Sequence, residues 1–288
     1  MSSGYLIGLV AAMSYGLMSF LVHMQAGKTA APQLVFYRGL VTVILLLPFC
    51  SKQLSRYFTR ADGPQLWSRA LFGSMSVLCY FYALQGTTSG NANLMFSTTP
   101  VFVTALAWIF YSERINFAEA GGVALVVMGN VLLYLPNQGK INSTIWLVGF
   151  AGALFASLSL LALGAAAKKH SGATIVWGFG LFSLLFSLLI PEPWKEIQLQ
   201  DLPLILLISL LGVFSQLTAT HSFKLLKSPI AAALGRTSIL FSGLLDIFAA
   251  QYQIHFLELL SYVVVLIGVF IVHFYRDKNT EGPGGAPA

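Results

Sequence analysis

The feature that most limits this chain is a series of apolar runs, each about 20 residues long, separated by short polar, Gly or Pro breaks. A bilayer core about 30 Å thick is crossed by about 20 residues at roughly 1.5 Å rise each. Inside lipid the backbone has no water to bond, so a spanning segment of this length must be a helix. Marking the runs predicts ten helices, at 4–24, 32–50, 67–87, 91–111 and 117–135, then 144–166, 173–190, 203–223, 229–250 and 256–275. Pro100 is expected to kink the fourth. The loops are short, so neighbouring helices should run antiparallel. The longest connection, Ser51 to Leu66, carries Lys52, Arg56 and Arg60 and is a candidate interfacial helix.

Composition excludes the alternative of a water-soluble fold. Only 9% of the 288 residues are charged and 57% are hydrophobic, whereas a soluble domain carries about 25% charged residues. The expected class is an all-α membrane protein of ten transmembrane helices. The stretch from Tyr5 to Val22 has no basic residue before it and no small-x-small cleavage signal, so it reads as a retained helix. Cys50 and Cys79 lie in apolar runs without ligand spacing and read as buried thiols.

Lys and Arg collect on cytoplasmic loops. With both termini cytoplasmic, eleven of the basic residues fall inside, Arg56, Arg69 and Lys169 among them, and only Lys28, Lys140 and Lys195 fall outside. The formal charge of +6 is then a topology signal, and no nucleic-acid partner is expected. The expected location is a bacterial cytoplasmic (inner) membrane.

Shifted by 139 residues, the chain falls into register with itself. Asp62-Gly63-Pro64 meets Asp201-Leu202-Pro203, Gly39 meets Gly178, Gly73 meets Gly212, and Ser97 meets Arg236. Five helices per copy is an odd number, so the second copy enters the membrane upside down. The expected organisation is a first five-helix repeat at 1–139, an inverted second repeat at 140–276, and a disordered cytoplasmic tail at 277–288. Inverted repeats are the architecture of secondary transporters, with the site at the repeat interface.

The local motifs are specific. Asn91-Ala92-Asn93-Leu94, then Thr99-Pro100-Val101-Phe102, then Tyr111-Ser112-Glu113-Arg114 resemble the fourth helix of the drug/metabolite transporter superfamily in its EamA type. Tyr37-Arg38-Gly39 resembles the Arg near the start of that family's second helix. The second copy departs from the pattern, with Ile239 in place of the Pro and Gln251-Tyr252 in place of the Glu-Arg. The resemblance spans roughly residues 4–275. It implies a central cavity lined by helices one, three, four, six, eight and nine, with five and ten at the periphery. Members mostly export amino acids, metabolites or toxic compounds, while some import vitamin-, nucleoside- or choline-like metabolites.

Ionisable groups at membrane depth point to function, because each costs about 2.5–3.5 kcal/mol by insertion scales. Three stand out here: Arg38, Arg236 and Asp246. Arg236 has Ala232, Ala233, Ile239 and Leu240 one turn away, so no acid on its own helix can pair with it. It reads either as a guanidinium gripping a substrate carboxylate or phosphate, or as a structural Arg bonded to carbonyls of a neighbouring helix. Arg38 and Asp246 are expected to form one buried pair with a structural or gating role, joined in that class by Pro100 and Glu113. Proton coupling through Asp246 is the other reading.

Tyr15, Tyr80, Tyr82, Asn93, Ser97, Gln216 and Thr237 are further candidates for substrate binding, set against the plainer role of helix–helix hydrogen bonding. Gly4, Gly8, Gly16, Gly73, Gly121, Gly122 and Gly129 read as close-packing positions, and Trp67, Trp108, Trp146 and Trp194 as interface anchors. No catalytic set, cofactor motif or metal spacing is present, so an enzyme is not expected. The expected partners are a small-molecule substrate and the lipid bilayer, with coupling to protons or substrate exchange, in a monomer or weak homodimer. The functional expectation is a secondary transporter, more an exporter of an amino-acid-like or carboxylate-bearing metabolite than an importer, a lipid flippase or a channel.

Overall fold

In the computed structural model the described residues are 3–59, 62–111, 117–226 and 228–279. They form twelve α-helices and two short 3-10 turns, with no strand among them. The first half holds α1 (Ser3–Met24), α2 (Ala31–Cys50), α3 (Gly63–Gly86), α4 (Ser89–Phe96), α5 (Thr99–Tyr111) and α6 (Phe117–Asn137). The second holds α7 (Ser143–Lys169), α8 (Gly172–Leu188), α9 (Leu202–Leu225), α10 (Ser228–Arg236), α11 (Ser238–Phe248) and α12 (Phe256–Asn279). The protein is therefore an all-helical membrane protein. Among the described residues six stretches are long and apolar enough to cross a bilayer.

Twelve helices replace the expected ten because two expected spans are broken. The run 91–111 divides into α4 and α5, and the run 229–250 into α10 and α11. The first break falls at Ser97–Thr98, before Pro100, so the expected proline kink is a helix restart instead. Pro100 occupies the second position of α5, where a backbone N–H has no partner within the helix anyway. Thr237 lies at the second break, and Ile239 occupies the corresponding second position of α11. The break thus forms with or without proline.

Other boundaries moved as well. Helix α3 starts at Gly63, with Pro64 in its first turn, rather than at 67. The basic connection is a 3-10 turn, Ser51–Phe58. Helix α12 runs to Asn279, into the segment expected to be a disordered tail, and residues 280–288 lie outside the described residues.

The helices pack in recurring partnerships. Helix α1 packs on α9 and α11, α3 on α7 and α8, α2 on α8 and α9, and α6 on α12. The α6–α12 contact is backbone to backbone: a Cβ added at Gly268 would lie 2.7 Å from the Gly122 carbonyl oxygen, and one at Gly122 2.9 Å from the Gly268 carbonyl oxygen. Gly129 packs likewise on Ser261 and Val265, whereas Gly121 meets nothing within 4 Å and is not the close-packing position expected. Of the four Trp anchors, Trp67, Trp108 and Trp194 are exposed, but Trp146 is 7% exposed and belongs to the interior.

Two ends of the bundle are distinguishable by their contacts. At one end Gly4 meets Leu226, and Asp62 receives both Arg56 at 3.4 Å and His170 at 3.5 Å. At the other, Lys195 Nζ donates to the Gly27 carbonyl at 2.6 Å, Gln33 Nε2 donates to the Lys195 carbonyl at 2.9 Å, and Tyr82 donates to Glu192.

Candidate functional site

A cavity of about 160 Å³ lies in the half of the bundle nearer the N-terminal end. Small residues open it: Ala11 and Ala12 on α1, Gly73 on α3, Ala156 on α7, Ala219 on α9 and Ala232 on α10. Its polar groups are Tyr15, Arg69, Ser159, Gln216, Arg236 and the serines at 76, 215 and 238. No Asp or Glu appears among the described lining residues. The lining comes from α1, α3, α4, α7, α9, α10 and α11, with Phe179 added from α8.

Arg236 lies at the C-terminal end of α10, one residue before the break. It makes no hydrogen bond or ion pair with any described residue and faces the cavity. Gly235 beside it lines the same space, and a Cβ there would meet nothing within 4 Å. The plainer reading, an Arg held by carbonyls of a neighbouring helix, is not what the structure shows.

Arg69 is a second cation in this cavity, and sequence reasoning missed it. Because α3 starts at Gly63 and not at 67, Arg69 lies in its second turn and not its first, and it is 6% exposed. Its guanidinium donates to Ser159 Oγ and, at 2.8 Å, to Gln216 Oε1, and lies 4.9 Å from the Phe179 ring centroid. Its Nε has no partner. Gly73 leaves it room, since a Cβ there would come 2.7 Å from Nη1.

Arg38 is 2% exposed and stands apart from the cavity lining. Its guanidinium is 5.0 Å from the Phe179 centroid and 6.0 Å from that of Phe81. Gly212 makes space for it, because a Cβ there would be 2.5 Å from Arg38 Nε. The expected pair with Asp246 is absent. Asp246 accepts instead from Ser89 Oγ at 2.8 Å and from the Gly90 N–H at 2.7 Å, so it caps the start of α4 from another helix. A helix N-terminus carries partial positive charge and free N–H groups, which is what a carboxylate needs when no cation is near.

The remaining candidates divide by position. Tyr15 and Gln216 line the cavity, as Arg236 does, whereas Tyr80, Tyr82, Asn93, Ser97 and Thr237 do not. Tyr80 stacks on Tyr15 at 5.3 Å, bonds Ser19 and packs against Phe96 at 4.7 Å, forming a layer behind the cavity. Asn93 joins α4 to α11 through Ser242 and Ser238. Ser97 and Thr237 bond back to the carbonyls of Asn93 and Leu234 at the two breaks. Tyr82 belongs to the far end with Glu192. Glu113 lies outside the described residues.

Glu258 was also missed. It is 2% exposed and accepts from Asn137 Nδ2 at 2.6 Å, Tyr252 Oη at 3.0 Å and the His255 N–H at 2.9 Å. Those neutral donors make it a tether between α6, α12 and the preceding loop.

A helical membrane bundle around a cavity with polar and cationic lining is an arrangement suited to binding a solute. Comparison with known proteins agrees. Residues 2–135 match the EamA-like transporter family. The pseudopaline exporter CntI of Pseudomonas aeruginosa is 25% identical over 247 residues, covering 84% of this chain and 86% of that protein. An uncharacterized transporter of Helicobacter pylori is 21% identical over 275 residues, covering 92% of each. Solute carrier family 35 member G1 of Mus musculus is 23% identical over 237 residues, covering 75% of this chain and 64% of that protein. A protein crystal structure matches with a TM-score of 0.68 at 17% identity, covering 97% of this chain and 99% of that one, which speaks to the fold alone. The chain is a multi-pass membrane transporter. Its similarity to the EamA-like family over residues 2–135, and to these transporters over most of its length, points to the drug/metabolite transporter superfamily.

Proposed function

We propose that this protein is a secondary transporter that exports a small carboxylate-bearing metabolite across a bacterial cytoplasmic membrane by alternating access. The observation that carries the reading is Arg236, unpaired and facing a cavity without acidic residues among its described lining. An Arg at this depth needs water or an anion, and its planar fork matches a carboxylate with two parallel hydrogen bonds.

An inverted repeat is the second part of the proposal, with both termini cytoplasmic. Its support is the recurrence of helix bounds at one spacing of 139: Gly63–Gly86 against Leu202–Leu225, and the starts of α4 and α5, Ser89 and Thr99, against those of α10 and α11, Ser228 and Ser238. The partnerships recur too, α1 with α9 mirrored by α7 with α3, and α1 with α11 mirrored by α7 with α5. In this reading the structure is open towards the cytoplasmic end and closed at the other by Tyr80, Tyr15 and the Glu192–Lys195 loop. The closing contacts are a few hydrogen bonds, each worth about 0.5–1.5 kcal/mol net, so a substrate's differential binding is enough to exchange the two states. The exporter among the relatives supports the direction.

The test is efflux from proteoliposomes loaded with a mixture of amino acids and organic acids. At least one carboxylate-bearing metabolite should leave faster than from protein-free vesicles. Arg236→Gln should cut that rate by about tenfold or more, the scale of one lost charge-assisted contact. Efflux of no acid, or equal efflux through the variant, contradicts the proposal.

A further inference from the structure

Resting on the reading of the cavity as a carboxylate site, we infer that it holds two anion seats, Arg236 and Arg69, and that its preferred substrate is a compact diacid. The two guanidiniums come from different helices, α10 and α3, and line one cavity. Tyr15 lines the same cavity as both.

The hydrogen bonds Arg69 makes orient it without cancelling its charge. Ser159 and Gln216 are neutral acceptors, and of the five N–H groups of a guanidinium these two bonds leave others on the terminal nitrogens free. The Phe179 ring offers its negative face to Arg69 on one side and to Arg38 as well, so that ring is shared between two cations. A fixed, forked donor beside a cavity, held by groups that do not neutralise it, is prepared for an anion arriving from outside the protein. A monoanion on Arg236 leaves Arg69 uncompensated in a low-dielectric site, whereas a diacid satisfies both.

Size sets the class further. The cavity is about 160 Å³, and an apolar cavity of about 150 Å³ is known to take benzene. The substrate is therefore short, with its two acidic groups separated by a few atoms. Ala156 and Ala219 add small apolar side chains to the same lining.

The experiment uses the full chain in lipid nanodiscs and measures thermal stabilisation by malonate, succinate, glutarate and adipate, each against its mono-amide. The amide keeps shape and one carboxylate but removes the second charge. At least one diacid should bind about tenfold or more tightly than its mono-amide, one charge contact being worth that factor. Arg69→Gln should bring that diacid down towards the level of its mono-amide and affect the mono-amide by a clearly smaller factor, while Arg236→Gln should weaken both. Mono-amides that match their diacids in the unaltered protein overturn the inference, a result that needs no variant to fold. Arg69→Gln weakening acid and amide alike overturns it too, showing Arg69 to be structural. Binding of monocarboxylates alone defeats the two-seat inference but leaves the transporter reading standing, whereas binding of no acid at all removes both.

Discussion

A guanidinium inside a bilayer persists only where something accepts its charge, and Arg38, Arg69 and Arg236 solve that problem differently. Arg38 lies against Phe179 and Phe81. Arg69 has neutral acceptors. Arg236 has the cavity. The acid once expected to serve Arg38 is occupied elsewhere, since Asp246 holds the Ser89 hydroxyl and the Gly90 N–H. Arg38→Gln and Asp246→Asn should therefore destabilise independently. Unfolding in mixed micelles should give a double-mutant cycle that adds within about 0.5 kcal/mol, whereas a coupling of about 2 kcal/mol would restore the pair. Arg236 was legible in the sequence because its own helix offers no acid at one-turn spacing. Arg69 was not, because a helix starting at 67 leaves it in the first turn at the membrane edge, and a start four residues earlier carries it into the second turn and the interior. The Arg38–Asp246 expectation failed for a related reason. Depth along a helix can be counted from sequence, but rotation about its axis is settled by packing.

At the scale of elements, close packing and breaks do different work. The α6–α12 contact leaves no room for a side chain at Gly268, whose added Cβ would meet the Gly122 carbonyl oxygen at 2.7 Å and Val126 N at 2.9 Å. Gly268→Val should cost about 1–3 kcal/mol, the usual penalty of overpacking. Gly121→Val, one position from Gly122 on the same helix but with nothing within 4 Å, should change stability by about 0.5 kcal/mol or less. Equal losses in micelle unfolding would show that helix propensity rather than packing governs both sites. Helix existence was readable from apolar runs, and each of the ten expected runs contains helix. The two breaks were not, because proline is a visible breaker and Thr237 is not. The second break becomes readable only by carrying Pro100 across 139 residues to Ile239 and asking why the backbone repeats where the residue does not.

For the whole molecule, the proposal joins two ends and one cavity. In the proposed reading, the end with Asp62, His170 and Leu226 leads towards the cavity half, and the hydrogen bonds at Glu192 and Lys195 close the other end. A transporter of this design exposes its cavity to one side at a time, whereas a channel exposes it to both. Ala232 lines the cavity and is half-buried, so a cysteine there reports access directly. The most direct measurement is the rate at which Ala232→Cys, with Cys50 and Cys79 replaced by Ser, reacts with a membrane-impermeant maleimide in intact cells and in inverted vesicles. Without substrate it should label from the cytoplasmic face and resist from outside, and the transported acid should slow the first and speed the second. Equal labelling from both faces, unaffected by any transported acid, would contradict alternating access.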